Sequence, residues 1–108
     1  MRSKPKKMKK RYEVVVSLRA EQMLTGHIRF LARVSVPAAR RLRSEYAGIL
    51  EALEDNPFQF PAADDPGLPG EYRKALFYKR YQAIFTVEED TVFLDAVLDC
   101  RMDNSEYF

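Results

Sequence analysis

The last third of the chain constrains the fold most, because three strand-like runs there are separated by two polar dipeptides. The runs cover residues 72–77, 81–88 and 91–99 and are rich in Tyr, Phe, Val, Ile and Thr. These residue types favour pleated, half-buried surfaces. Lys79-Arg80 and Glu89-Asp90 stand where short hairpin connections would fall. The pattern predicts a three-stranded antiparallel meander.

Two further elements are predicted upstream. Residues 12–18 read YEVVVSL, a β-branched run that indicates a first strand. Beyond it, apolar residues recur at spacings of three and four, which indicates an amphipathic helix. The stripe comprises Leu24, Ile28 and Leu31, widened by Phe30 and Val34. We expect this stripe to face the core.

A break at residues 35–37 separates this helix from a second one. Pro37 disfavours helical geometry at Val36 but is tolerated in a first turn, and Ser35 can cap exposed amides. The second helix carries an apolar stripe of Ala39, Leu42, Tyr46, Ile49 and Leu53. Such a stripe is typical of core packing. Charged residues off the stripe are interpreted as a solvated face, with Arg41 and Glu45 at a helix-supporting spacing.

The second helix ends at residues 55–57, where a loop rich in Pro and Gly begins. Phe58, Phe60 and Leu68 are too apolar for a free linker, so we expect them to pin the loop onto the core. Asp64-Asp65 precede Pro-Gly and are interpreted as a turn rather than as catalytic carboxylates.

The assembled order predicts an α+β fold, in which an N-terminal strand and a helical hairpin precede the antiparallel meander. A chain of 108 residues with 46% hydrophobic residues can bury one core. We expect a single domain at residues 12–108.

Residues 1–11 form a basic segment with seven cations and no acid. Without them, 11 cations face 16 acids, so the body of the chain has a net charge of about −5. Basic, Pro-containing segments of this kind are commonly disordered. The segment is therefore either a solvated tail or an arm that binds nucleic-acid phosphates in a salt-dependent way.

Several classes of protein are disfavoured by composition. No apolar run approaches the roughly 20 residues of a membrane helix, and the N-terminus lacks the apolar region of a secretory signal. We expect a cytoplasmic protein. Cys100 and His27 are the only residues of their types, so the sequence offers no His/Cys cluster for zinc. Nothing in the sequence indicates a metal or an organic cofactor.

The order and spacing of these elements resemble the RelE/ParE superfamily of toxins from bacterial type II toxin–antitoxin systems. The resemblance covers roughly residues 12–107 and rests on the following segments: YEVVVSLRA, HIRFLA, AARRL, LEDNPFQFP, LPGEYRKALFYKRYQAIFTV and VFLDAVLDCR. The HIRFLA and AARRL segments are similar to those of plasmid stabilisation proteins.

The resemblance implies a toxin that inhibits growth and is neutralised by a cognate antitoxin, in a possible toxin–antitoxin hetero-oligomer. RelE-like members are metal-independent endoribonucleases that cleave mRNA on ribosomes, whereas ParE-like members poison DNA gyrase. Fold alone does not decide between these targets. Two alternatives stay open: a nucleic-acid-binding module without chemistry, and an inactive homologue that only binds an antitoxin.

Three residues match catalytic positions of the ribonuclease-type members. Arg73 matches a basic residue on the strand before the hairpin, Arg101 matches the arginine after the last strand, and Tyr107 matches a tyrosine near the C-terminus. Metal-free RNA cleavage needs a group that removes the 2′-hydroxyl proton, cations that stabilise the phosphorane, and a group that protonates the leaving oxygen. Structural alternatives are pairing of Arg73 with Asp95 or Asp99, and fraying at Tyr107.

The match is incomplete, because Ala75 and Gln82 stand where two further cations are expected. Lys79 and Arg80 are possible substitutes, and together with Lys74 they are candidates for contacts with nucleic acid. Because the set of cations is incomplete, the sequence slightly favours the ParE-like branch.

Overall fold

The computed structural model describes residues 11–63 and 71–101 and has the predicted α+β architecture. Its elements are strand β1 (Glu13–Val16), helices α1 (Leu18–Val34) and α2 (Val36–Asp55), a short 3-10 helix (Pro57–Gln59), and strands β2 (Arg73–Phe77), β3 (Tyr81–Glu88) and β4 (Thr91–Asp99). The predicted bounds of β3 and β4 are confirmed. The first strand is shorter than predicted.

The four strands form one sheet in the order β1-β4-β3-β2. Strands β2, β3 and β4 make the predicted antiparallel meander. Strand β1 lies parallel to β4, with Val14 opposite Val92. This pairing joins the two ends of the domain, and nothing in the sequence analysis predicted it.

A single residue, Ser35, separates the two helices. Its N–H donates to the carbonyl of Leu31 at 2.8 Å, which ends α1, and its hydroxyl accepts from the N–H of Ala38 at 3.2 Å, which caps α2. Val36 is already helical, contrary to the expectation from Pro37. The proline is tolerated because amides of the first turn have no acceptor within the helix.

The core lies between the helix pair and one face of the sheet. Its large buried side chains are Leu31, Leu42, Tyr46 and Leu53 from the helices and Phe77, Tyr81, Phe85, Val92, Leu94 and Val97 from the strands. Phe30 and Val34 were expected to widen the buried stripe, but they are 54% and 75% exposed. Successive side chains of a helix point about 100° apart around its axis, so the side chain of Phe30 points to one side of the direction in which the buried Leu31 faces the core.

A β-bulge in β4 ties α1 to the sheet. Ile84 pairs with Ala96 and Phe85 with Leu94, which leaves Asp95 as the extra residue. The Ser17 hydroxyl donates to the Asp95 carbonyl at 3.1 Å and accepts from the N–H of Ala20 at 2.9 Å, capping α1. The Ser17 hydroxyl therefore forms hydrogen bonds both with a carbonyl of the bulge and with an amide of the first turn of α1.

The loop before β2 is pinned partly as expected. Phe60 packs against the core, with its ring edge-on to Phe85 at 6.1 Å. Phe58 is half exposed and touches the ring of Tyr12. Leu68 and the Asp64-Asp65 turn lie outside the described residues. On α2, Arg41 forms no ion pair with Glu45 in the part of the chain that the structure describes.

Candidate functional site

A cleft of about 590 Å³ opens where α1 crosses the ends of β3 and β4. Its lining residues are Gly26, His27 and Phe30 from α1, Arg80 and Tyr81 at the start of β3, and Asp99 and Arg101 at the end of β4. Two arginines, an imidazole and a phenol thus meet beside an exposed aromatic ring. We take this cleft as the candidate site.

The Asp99 carboxylate organises the two arginines. Its side chain is 5% exposed and accepts from Arg80 Nη2 at 3.1 Å and from the Arg101 backbone N–H at 2.9 Å. The Arg101 Nε lies 3.7 Å from the same carboxylate. The Arg80 side chain is 19% exposed and that of Arg101 is 62% exposed. Arg80 is therefore largely committed to Asp99, whereas Arg101 faces solvent at the mouth of the cleft.

The β2–β3 hairpin turn positions Arg80. Tyr78 and Lys79 have φ angles of 52° and 62°, in the left-handed region that L-residues rarely adopt. The Arg80 carbonyl then accepts from the Cys100 N–H at 2.7 Å, and Tyr81 pairs with Asp99 across the strands. This register places the guanidinium of Arg80 next to the carboxylate.

Tyr81 forms the floor of the cleft. Its hydroxyl is buried and has no hydrogen-bond partner among the described residues, and its ring lies 5.1 Å from the ring of His27. Burial raises the pKa of the phenol, an effect that Arg80 opposes and Asp99 reinforces. Because the phenol keeps its proton at neutral pH, it is a poor base.

His27 is anchored by its ring nitrogen Nε2, which lies 2.8 Å from the Val97 carbonyl. A carbonyl only accepts, so Nε2 carries the proton and donates. The other ring nitrogen is then an acceptor in the neutral ring.

The three predicted catalytic residues are not all brought together. Arg101 lies in the cleft, whereas Arg73 begins β2, four residues before Phe77, whose partner Tyr81 lines the cleft. Four residues of strand span about 13 Å. Tyr107 lies outside the described residues.

Arg73 has a structural environment, but not the one proposed from the sequence. Its Nη1 donates to the Phe60 carbonyl at 2.7 Å, and its guanidinium lies 4.9 Å from the centroid of the Phe58 ring. It pairs with neither Asp95 nor Asp99. The carboxylate of Asp99 is engaged by Arg80 and Arg101, which are closer in the sheet.

The three residues predicted to contact nucleic acid have different surroundings. Lys74 lies opposite Ile84 in the pairing of β2 with β3 and is partly buried. Lys79 lines a separate groove of about 540 Å³ between the hairpin and α2. Arg80 belongs to the cleft. Their role in nucleic-acid binding stays a prediction.

Sequence reasoning missed Asp99, His27 and Tyr81 as members of the site. Asp99 had one usable signal, since an acid at the end of the apolar run VFLDAVLD is a candidate for burial with a cation. The other two offered none, because a histidine beside an apolar stripe and a tyrosine in a strand are ordinary core residues.

Among the residues that the structure describes, no helix combines the length and apolar character that crossing a membrane requires. The same residues contain no group of three or more His, Cys, Asp or Glu side chains placed to hold a metal ion.

The architecture is that of a small toxin of the RelE/ParE superfamily, as the resemblance predicted. A solved structure described as a chromosomal ParDE TA system from P. aeruginosa superposes with a TM-score of 0.67, over 82% of this chain and 96% of that chain. The sequence identity is 12%, so this likeness concerns the fold. No curated protein matches the chain.

The family is established by sequence. The model of the ParE toxin of type II toxin–antitoxin systems, parDE, matches residues 14–104. The chain therefore belongs to the ParE toxin family.

Proposed function

We propose that this chain is a growth-inhibiting toxin that acts on DNA gyrase and is neutralised by a cognate antitoxin. The ParE family match over residues 14–104 carries the proposal. The arrangement of cations in the site supports the same branch.

Metal-independent cleavage of RNA needs several positive groups around one phosphate. Arg73 is held by the Phe60 carbonyl, about 13 Å along the strand from the cleft. Arg80 is neutralised by Asp99. Arg101 is then the one cation in the described cleft whose side chain is mainly exposed. A single available guanidinium fits poorly with a ribonuclease centre.

The groups in the cleft that could transfer a proton also fit poorly with a ribonuclease centre. The pKa of Tyr81 is raised by burial, so this phenol does not readily take a proton from a 2′-hydroxyl. One ring nitrogen of His27 is engaged in a hydrogen bond to the Val97 carbonyl. The cleft that its ring lines has few available cations to stabilise the charge that would form during cleavage.

RNA cleavage is the second candidate, and Arg101 is the observation that favours it. Its side chain is 62% exposed at the mouth of a cleft that also contains an imidazole and a phenol. In this reading Arg101 would contact the scissile phosphate, and His27, which lines the same cleft, would be the candidate proton acceptor. Arg73 would require a different arrangement from the one described, and Tyr107 lies outside the described residues.

Two findings support an antitoxin partner: the matching family model is described as a toxin of type II toxin–antitoxin systems, and the solved relative is described as a ParDE TA system. An antitoxin partner is therefore part of the proposal. The target and the partner are tested by separate experiments.

The first test is growth after induction of the chain alone and together with the product of the neighbouring small gene. We expect arrest with the chain alone and relief by the neighbour. In arrested cells, gyrase-dependent DNA breaks are expected, with intact mRNA. Cleaved mRNA without DNA breaks would transfer the assignment to the second candidate.

Variants sharpen the choice of target. Arg101→Met removes the exposed cation of the cleft, and Arg41→Met is a matched control on an exposed face of α2. The gyrase assignment predicts that both variants still arrest growth when they are folded and equally expressed. Loss of both arrest and mRNA cleavage for Arg101→Met alone would favour the ribonuclease.

A further inference from the structure

The helix pair carries a concentration of positive charge where α1 ends and α2 begins. Residues 22–44 contain no Asp or Glu and carry five arginines: Arg29, Arg33, Arg40, Arg41 and Arg43. All five are exposed, and none forms an ion pair with any residue that the structure describes. The acids of the two helices lie outside this stretch, at Glu21 and from Glu45 onward. The charge of this region therefore has one sign, in a body that is net acidic.

Three of these arginines point away from the core. Successive side chains of a helix point about 100° apart around its axis. Arg29 and Arg33 lie two residues before and two residues after the buried Leu31, so each points about 160° away from it. Arg40 has the same relation to the buried Leu42 of α2. Both helices pack on one face of the sheet, so the three guanidiniums project from the same outer surface. The name arginine patch is used here for Arg29, Arg33 and Arg40.

The exposed apolar side chains of α1 near the corner lie to one side of the arginine patch. Phe30 and Val34 point about 100° and 60° from Leu31, on the side where Phe30 lines the cleft. The outward positions of α1 from residue 22 to its end are all exposed and polar or small: Gln22, Thr25, Gly26, Arg29 and Arg33. On α2, Val36 is half exposed one turn before Arg40. A single valine does not make the apolar centre that a protein interface needs.

We propose that the arginine patch binds the phosphate backbone of duplex DNA. Duplex DNA carries one negative charge per about 1.7 Å of its axis, and each phosphate that a cation neutralises releases counterions. Guanidiniums bind phosphates through two parallel hydrogen bonds. Arg29 and Arg33 lie about 6 Å apart along the axis of α1, so they can contact different phosphates. The first turn of α2 contains no acid, and the helix dipole adds positive potential beside Arg40.

A duplex fits the arginine patch better than a single strand does. Proteins that bind single strands stack unpaired bases on aromatic side chains. No aromatic residue stands at the outward positions of α1 from residue 22 onward, because Phe30 lies on the cleft side. Polar side chains of types that donate to phosphates are exposed near the arginines: Gln22, Thr25 and Ser44. DNA as the biological partner rests on the proposed function, since gyrase acts on a DNA duplex.

The test is a titration of the full chain into a labelled, short, mixed-sequence DNA duplex, followed by fluorescence anisotropy at several salt concentrations. A single-stranded RNA of the same length is the competing probe. We expect the duplex to bind more tightly than the RNA. We also expect the logarithm of its affinity to fall linearly with the logarithm of the salt concentration.

Matched variants locate the binding. Arg33→Ser and Arg40→Ser are each expected to weaken duplex binding about tenfold at about 0.1 M salt and to reduce the salt slope by about 0.9. Arg33→Lys keeps a cation and should stay within about threefold of the wild type. Arg19→Ser is the charge-matched control. Arg19 lies about 21 Å before Arg33 along α1, beyond the Debye length of about 10 Å, so less than about a twofold change is expected.

Two features keep this comparison clean. The basic segment at residues 1–11 is the same in all variants, so its own contribution to phosphate binding cancels. Circular dichroism shows whether each variant is folded. Equal effects of Arg33→Ser and Arg19→Ser would overturn the inference. Tighter binding of the single-stranded RNA would also overturn it.

Inhibition of purified gyrase, measured with the same variants, separates this inference from the proposed function. If the chain inhibits gyrase but the patch variants bind the duplex as the wild type does, the inference fails and the gyrase assignment stands. If the patch variants lose duplex affinity but the wild type leaves gyrase active, the inferred surface stands and the gyrase assignment fails.

Discussion

Replacing Asp99 by asparagine tests how the cleft holds its charges. The substitution keeps the shape of the side chain but removes its negative charge from beside two arginines. The new side chain can still accept from the Arg101 backbone N–H, yet its amide group would face Arg80 in place of a carboxylate oxygen at 3.1 Å. The lost contact is a charge-assisted hydrogen bond, worth about 1.5 to 3 kcal/mol.

The magnitude follows from how buried the pair is. Removing one partner of a buried ion pair costs about 3 to 5 kcal/mol because the other charge is left uncompensated. The Arg80 side chain is 19% exposed, so water screens part of this penalty. We therefore expect Asp99→Asn to lower the free energy of unfolding by about 2 to 3 kcal/mol.

The measurement is urea unfolding of the wild type and Asp99→Asn at neutral pH, followed by circular dichroism. Asp90→Asn is the matched control, because the Asp90 side chain is exposed and accepts from the neighbouring Thr91 hydroxyl. The control is expected to change stability by less than about 0.5 kcal/mol. An Asp99→Asn variant as stable as the control would refute the view that Asp99 organises the cleft.

Three further predictions concern the fold. Ser17→Ala removes both a helix cap and the donor to the bulge carbonyl, so it should lower the free energy of unfolding in urea by about 2 kcal/mol. Ser35→Ala removes a cap alone and should lower it by about 1 kcal/mol, so equal losses would contradict this. Lys79→Gly relieves a left-handed φ of 62°, so it should raise the free energy of unfolding by about 0.5 to 1 kcal/mol and with it the midpoint of thermal unfolding. Lys79→Ala should not raise the midpoint, and a rise for both variants would refute the argument from strain. Burial raises the pKa of Tyr81 and of Tyr46, so these phenols lose their protons more readily in the unfolded chain, and the free energy of unfolding should fall as the pH rises above about 10. A constant free energy of unfolding in that range would contradict the burial of both hydroxyls.

The meander was predictable because its signals are local. The run rich in aromatic and β-branched residues ends at Glu88 and a second one begins at Thr91, so the polar pair between them marks the turn directly. The parallel pairing of β1 with β4 has no such signal. It brings together residues more than seventy positions apart, and no local pattern encodes that contact.

The apolar periodicity of the two helices correctly predicted that each has a buried face, but it did not predict how many apolar residues that face includes. Leu31 and Leu42 are buried as their spacing predicts. Phe30 and Val34 obey a helical spacing too, yet they lie outside the sector covered by the sheet. The number of apolar positions that a helix buries depends on what packs against it, which only the assembled fold determines.

The site was less predictable than the fold. Arg101 was predicted as a site residue because it matches the arginine that follows the last strand in the family, and it lies in the cleft beside α1. Arg73 was grouped with it by analogy of position, but strand register separates the two residues. The resemblance to a family supplies residue types at matching positions, whereas distances depend on register and on competing contacts such as the Phe60 carbonyl.

The proposal that the chain acts on gyrase is tested most directly with purified components. The chain is incubated with DNA gyrase, supercoiled plasmid and ATP, and in parallel with ribosomes translating a defined mRNA. The account predicts that the chain inhibits supercoiling and traps gyrase-cleaved DNA, that its antitoxin reverses both effects, and that the mRNA stays intact. Cleavage of the mRNA with normal gyrase activity would contradict the account and assign the cleft to RNA.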